Sequence, residues 1–398
     1  MKALFDMNKA RTLMKDRDID VLIASSPENF YYVAGYAGMA YFGPHGVRVP
    51  GLATAVVPRS QDQEPAAIVL DWEAEKVRKR TWIKDLRIFE TWIYFEREGV
   101  EPSHIVSKPE QFDPVEVISQ TLKEKKLEEG KLGVELDFFN FHYYERFRKA
   151  LPKAELVDAS GLFMEMRSIK TPTEIDRFRK GVKITEKGII AAVEVAKEGV
   201  TEREIARRFR VVVADSDCWG MNTLMLGGGA RTGSPNFPFH ESSTYALKKG
   251  DFLRFDCGVN FEGALTDVSR TYVIGKPSEK QRKLYNTLLR AQRKIVQAMK
   301  PGVKFSELFK IGLETVREGG FPQYTRGHFG HSISLGPFEE SPLLSPKENR
   351  ALGPGMVLCV ELPFYIVDFG GINIEDMVLI TEDGREELTT LSRELSLG

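Results

Sequence analysis

Residues 252–259 read FLRFDCGV, an apolar strand pattern with a carboxylate, Asp256, inside it. Four further apolar stretches follow: GALTDVSRTYVIG (263–275), GHFGHSISL (327–335), MVLCVELPFYIV (356–367) and GINIEDMVLI (371–380). They carry Asp267, His331, Glu361 and Glu375 in turn. A carboxylate within a strand core is costly unless something compensates its charge. Four of them converging with one imidazole would repel one another, and two divalent cations would remove that repulsion. Five ligands exceed what one transition ion with an open position takes. They suit two ions about 3.5 Å apart that share bridging carboxylates. Oxygen donors with a single nitrogen favour Mn²⁺, with Co²⁺, Fe²⁺ or Zn²⁺ as alternatives. Water between such ions ionises near neutrality and becomes a nucleophile, so the chain reads as a dinuclear metalloenzyme.

Upstream of this region, residues 1–155 alternate helix and strand patterns. The apolar runs VLIAS (21–25), LATAVVP (52–58), AAIVLD (66–71), LRIFETW (86–92) and LGVELD (132–137) are separated by charged or helical segments. This predicts a small α/β domain with a mixed sheet of about six strands. A boundary near residues 156–170 is followed by a strong helix start, with Thr171 as N-cap, Pro172 at the first helical position and Glu174 closing a capping box. The expected domains are 1–160 and 161–398, and the fold class is α/β (α+β).

The second domain repeats itself. AAVEVAKEGVTEREI (191–205) resembles KIVQAMKPGVKFSEL (294–308), matching Val193 with Val296, Gly199 with Gly302, Val200 with Val303 and Glu204 with Glu307. Downstream, Gly250 to Asp256 parallels Gly355 to Glu361, and Gly263 to Asp267 parallels Gly371 to Glu375. The expectation is a pseudo-twofold in which each half donates two carboxylates, Asp256 pairing with Glu361 and Asp267 with Glu375. His331 stands outside this pairing.

Composition excludes several function classes. A net charge of −1 gives no global field for nucleic acid or an anionic membrane surface. No apolar run approaches the roughly 18 residues of a membrane span. The start, MKALFDMNKARTLMKDRDID, is an amphipathic helix pattern rather than a signal peptide. Cys218, Cys257 and Cys359 are odd in number and widely spaced, which argues against a disulfide framework and for a reducing, cytoplasmic location. Cys257 and Cys359 read as small buried apolar residues.

The five ligand positions, SPENFYYVAGY (26–36) and RSIKTPTEID (167–176) together resemble the pita-bread metallopeptidases. That group comprises Xaa-Pro dipeptidase (prolidase), aminopeptidase P and methionine aminopeptidase, with creatinase as a relative that works without metal. The amino-terminal part resembles the creatinase/prolidase N-terminal domain, so the resemblance covers essentially the whole chain. It implies a pita-bread catalytic domain that binds metal through Asp256, Asp267, His331, Glu361 and Glu375. It also implies hydrolysis of Xaa-Pro bonds in small peptides by a metal-bridging hydroxide.

Around the substrate the chain departs from the family pattern. Where relatives carry a motif like GHGIGLEVHExP, residues 330–342 read GHSISLGPFEESP, with Phe338 or Glu339 in place of the second His. His328 lies three residues before His331 rather than four, His240 ends SPNFPFH (234–240), and Asn373 replaces an Arg. The expected roles are proton transfer by Glu361 or Glu339, and hydrogen bonds to the tetrahedral intermediate from His240 and His328. Phe237, Pro238, Phe239, Phe338 and Phe364 are expected to wall a pyrrolidine pocket. Arg231, Arg270 and Arg326 are candidates for a substrate carboxylate, with Asn373 beside them. The loop MAYFGPHGVRVPG (39–51) implies a homodimer that brings His45 to the neighbouring cleft. The departures support one alternative, a metal-dependent hydrolase or lyase acting on a non-peptide small metabolite.

Overall fold

Thr171 begins its helix as the sequence predicts. Its hydroxyl accepts from the Glu174 amide at 3.3 Å, and the Glu174 carboxylate accepts from the Thr171 amide at 2.8 Å. The computed structural model describes residues 4–38, 41, 52–89, 113–234, 243–336 and 340–397. The chain divides into two units, Met1–Met166 and Arg167–Gly398.

The first unit holds a six-stranded sheet of β1 (Val21–Ala24), β2 (Ala53–Pro58), β3 (Ala66–Leu70), β4 (Asp85–Phe89), β5 (Lys131–Val134) and β6 (Glu155–Asp158), in the order β4-β3-β2-β1-β5-β6. β1 runs antiparallel to β2 and parallel to β5, so the sheet is mixed, as the sequence predicts. The helices are α1 (Met7–Asp16), α2 (Pro27–Ala34), α3 (Ala74–Arg80), α4 (Pro114–Glu124), α5 (Phe141–Ala150) and α6 (Ser160–Ser168). Ile118 and Leu122 of α4 and Phe147 of α5 pack on Val21, Ile23, Ile68 and Val134 of the sheet.

The second unit is built on ten paired strands: β7 (Gly220–Gly228), β8 (Phe252–Phe261), β9 (Ala264–Leu265), β10 (Val268–Ile274), β11 (Gly330–Ser332), β12 (Glu340–Leu343), β13 (Val357–Glu361) and, after a small separate hairpin of β14 (Phe364–Ile366) and β15 (Gly370–Ile372), β16 (Glu375–Ile380), β17 (Arg385–Glu387) and β18 (Ser396–Leu397). The main order is β12-β11-β13-β16-β10-β8-β7. Four helices cover it: α7 (Pro172–Val193), α8 (Glu202–Ala214), α9 (Glu279–Ala298) and α10 (Phe305–Glu318). Phe178, Val182 and Ile189 of α7 and Phe209 of α8 bury against Leu253, Phe255 and Cys257. Leu284, Leu288 and Ile295 of α9 and Phe309 of α10 bury against Leu358, Val360 and Val378. Among the described residues no helix is long and apolar enough to cross a membrane.

The repeat read from the sequence is present in the backbone. Gly250 and Gly355 both adopt positive φ, +88° and +85°, and their amides donate to Ile274 and Ile380 at 2.8 and 2.9 Å. Gly199 and Gly302 donate in the same way to Leu247 and Leu352. Across the first hairpin Asp256 faces Ser269, and across the second Glu361 faces Glu375. Ser269 and Glu375 face each other where β10 meets β16, so the pseudo-twofold passes through that pair. This register corrects one expected match: Glu375 is the counterpart of Ser269, and Asp267 is the counterpart of Asn373. Gly263 and Gly371 mislead the alignment because they lie in different turns. Gly263 follows β8, whereas Gly371 belongs to the inserted β14–β15 hairpin.

Candidate metal centre

Five strand segments bring the five expected ligands to one place. Asp256 is in β8, Asp267 immediately precedes β10, His331 is in β11, Glu361 ends β13 and Glu375 begins β16. All five are buried. Gly330 lets β11 come this close, since a Cβ there would lie 2.0 Å from the Cys359 carbonyl oxygen. Among the described residues two triads have ligating atoms mutually within 4.8 Å: Asp256 with Asp267 and Glu375, and His331 with Cys359 and Glu375. Glu375 belongs to both.

The electrostatics match a cation-binding cluster. Burial pushes Asp256 up to about 6, with nearby Arg254 opposing the shift and Glu361 adding to it. Burial and then the charges of Asp267, Glu361 and Asp256 push Glu375 well above the usual carboxylate range. The His331 Nδ1 lies 2.9 Å from the Ser332 carbonyl, which can only accept, so Nδ1 carries the proton. Nε2 faces the Glu375 Oε1 at 3.7 Å. This buried set of oxygen donors with one ready imidazole fits a divalent ion.

Glu361 is engaged differently. Its Oε1 accepts from Arg326 Nη2 at 2.5 Å, and its Oε2 accepts from Asn373 Nδ2 at 3.2 Å. Arg326 Nε also donates to the His328 carbonyl at 2.7 Å, and His328 Nδ1 lies 3.6 Å from the same Glu361 oxygen. Asn373, expected at the substrate, is fully buried and holds a carboxylate instead. Next to this group is a cavity of about 520 Å³, lined in part by Phe321, Tyr324, Arg326, Pro363, Phe364 and Tyr365. Phe364 stacks on Tyr324 at 5.1 Å and meets Phe321 edge-on at 5.2 Å.

Two of the three candidate arginines lie elsewhere. Arg270 is fully buried and paired with Asp376 at 2.7 Å, and it donates to the carbonyls of Glu375, Leu391 and Ser392. Arg231 pairs with Glu202 at 2.9 Å and donates to Ser243. Arg270 thus has all three nitrogens taken up by internal acceptors, whereas Arg231 engages Glu202 and Ser243 through Nη1. His45, His240, Phe338 and Glu339 lie outside the described residues, as do Phe237, Pro238 and Phe239.

Sequence reasoning missed two participants. Arg254 is buried with its guanidinium 4.7 Å from the Tyr365 ring, and Cys359 enters the second triad. The signal was present, since each lies two residues from a ligand on one strand and therefore shares its face.

The description "metallopeptidase family M24" fits residues 176–382, and "creatinase/prolidase N-terminal domain" fits residues 7–169. The Xaa-Pro dipeptidase of Pyrococcus horikoshii is 31% identical over 299 residues, covering 74% of this chain and 84% of its own. The Xaa-Pro dipeptidase of Pyrococcus furiosus is 29% identical over 393 residues, covering 98% and 99%. The solved Xaa-Pro dipeptidase of Bacillus anthracis shares the fold at a TM-score of 0.82, with 24% identity and 98% of each chain covered.

Proposed function

Because the chain belongs to metallopeptidase family M24 and is a metallopeptidase hydrolase, we propose that it hydrolyses the Xaa-Pro bond of small peptides at a pair of divalent ions. The observation that carries this reading is the pair of buried triads joined at Glu375 beside an aromatic cavity. Asp256, Asp267, His331, Glu361 and Glu375 hold the ions, Mn²⁺ by the weight of oxygen donors. When bound, the ions supply Lewis acidity toward the scissile carbonyl and the ionised water that attacks it.

The protein's own groups do the rest. Phe321, Tyr324 and Phe364 offer flat apolar walls that suit a proline ring. Arg326, at the edge of that cavity, is the cation available to a peptide carboxylate and replaces the arginine absent at Asn373. A carboxylate arriving there competes with Glu361 for the guanidinium. Glu361, released in part from Arg326, is then free to carry the proton to the leaving nitrogen, with His328 as the nearby relay. Asn373 keeps the other Glu361 oxygen oriented throughout. His240, Glu339 and Phe338 complete the proposal from the sequence alone. A cytoplasmic homodimer with His45 near the partner's cleft is the corresponding assembly, and light scattering that gives a monomer mass would end that part.

The test is direct. The protein loaded with Mn²⁺ is incubated with Xaa-Pro dipeptides, longer Xaa-Pro peptides and controls lacking proline. Release of the residue amino-terminal to proline, absent with the controls, is the expected result. Bound metal with no cleavage of any peptide would move the assignment to a non-peptide substrate, the reading that buried Asn373 favours.

A further inference from the structure

The two triads differ in chemistry. One is all oxygen, whereas the other offers an imidazole nitrogen, a thiol sulfur and a carboxylate oxygen. Cys359 stands directly across from His331 where β11 pairs with β13, and across from Met377 where β13 pairs with β16. It shares a strand face with Glu361, two residues away. The thiol is fully buried. A buried cysteine is ordinary packing; here the sulfur also lies within 4.8 Å of a ligating atom of both His331 and Glu375. On the same strand face, both Glu361 oxygens are engaged by Arg326 and Asn373. The sulfur is a further donor beside His331 and Glu375, next to Glu361 on the strand.

We propose that Cys359 is a metal ligand, forming with His331 and Glu375 an N, S, O position that selects Zn²⁺ or Co²⁺ over Mn²⁺. The proposal rests on the metal-dependent reading above and replaces Mn²⁺ at this one position. Thiolate is a soft donor that adds much to zinc or cobalt and little to manganese. Zinc bonds of about 2.3 Å to sulfur and 2.0–2.1 Å to nitrogen put neighbouring ligands roughly 3.5 Å apart, which the triad reaches by small adjustments. Each ion bound there displaces the thiol proton to solvent, and the cysteine is neither oxidised nor reduced.

Co²⁺ is the probe. The full-length protein, stripped with a chelator and dialysed, is titrated with Co²⁺ while near-ultraviolet absorption is followed. The expected result is a thiolate-to-cobalt charge-transfer band that is lost in Cys359→Ser and retained in Cys257→Ser. Competition between Zn²⁺ and Mn²⁺, read by plasma mass spectrometry, should shift toward Mn²⁺ by about tenfold in Cys359→Ser. Zinc-edge X-ray absorption of the unaltered protein needs no variant to fold, and it should show one sulfur at about 2.3 Å. Cobalt bound without the band, a band that survives Cys359→Ser, or a zinc shell of nitrogen and oxygen alone would each overturn the proposal. Failure to retain any divalent ion would instead overturn the metal reading beneath it.

Discussion

The hairpins β8–β10 and β13–β16 share a backbone register and differ in what they hang on it. The first sets Asp256 opposite a serine and places Asp267 two residues ahead. The second sets Glu361 opposite another carboxylate and has an asparagine in the matching place. Strand pairing fixes where a side chain projects and leaves open what it is. A duplicated frame can thus hold an uneven set of side chains, with charge gathered at Glu375 and relieved at Glu361 by Arg326.

If Glu375 is the shared ligand, Glu375→Gln should exceed every other single change. Turnover efficiency is expected to fall by about three orders of magnitude, since both metal positions lose a donor. Asp256→Asn, which touches one triad, should lose about one to two orders and keep part of its metal, as plasma mass spectrometry would show. Equal losses would remove the asymmetry between the hairpins.

A pH scan of the metal-free protein separates charge from geometry. Asp256 is raised from 3.8 to about 6, so its contribution to stability is full below the lower value and lost as pH rises through the upper one. Glu375 moves in the same direction. The stability of the stripped protein should therefore fall between about pH 4 and pH 7, by an amount on the order of 2–3 kcal/mol for Asp256. Bound metal favours the ionised carboxylates and should reverse that slope. Calorimetry of Asp256→Asn should show a flatter profile, and an unchanged profile would place the charge elsewhere.

Arg326→Met tests the relief at Glu361. KM for an Xaa-Pro dipeptide should rise roughly tenfold to a hundredfold, the worth of a charged hydrogen bond, while bound metal does not fall. A drop in metal content would make Arg326 a support for the ligands instead.

The smallest expected effect lies in the paired helices. Thr201 caps α8 with a complete capping box, whereas Lys304 at the matching place before α10 makes no side-chain cap. Glu307 already stands at the third position, so Lys304→Thr should add about 1 kcal/mol and raise the melting temperature by about 2–4 °C. A thermal scan without any gain would show that the second repeat starts its helix by other means.

Much of this was legible in the sequence because it depends on period and spacing. Alternating apolar residues located the strands that carry Asp256, Glu361 and Glu375, and the Thr171–Glu174 capping box marked the start of the second domain's first helix. Cross-strand register was not legible. Matching glycines paired Asp267 with Glu375, and the inserted β14–β15 hairpin concealed the slip. Nor could a one-dimensional pattern say which arginine finds a buried acid. Arg270 and Arg326 look alike in sequence, yet one is locked to Asp376 and the other meets a ligand carboxylate. Cys359 read as filler because its strand neighbours are apolar, and its place opposite His331 emerges only once β11 and β13 pair.

Arg270 has a last consequence. Its guanidinium grips the carbonyls of Leu391 and Ser392 with the same hand that holds the Glu375 carbonyl. Residues 391 and 392 are therefore tied through one guanidinium to the carboxylate-bearing residue that both triads share. Clipping this stretch with a carboxypeptidase, or straining it with a fused tag, would loosen Glu375 from a distance and dull the enzyme without touching its pocket.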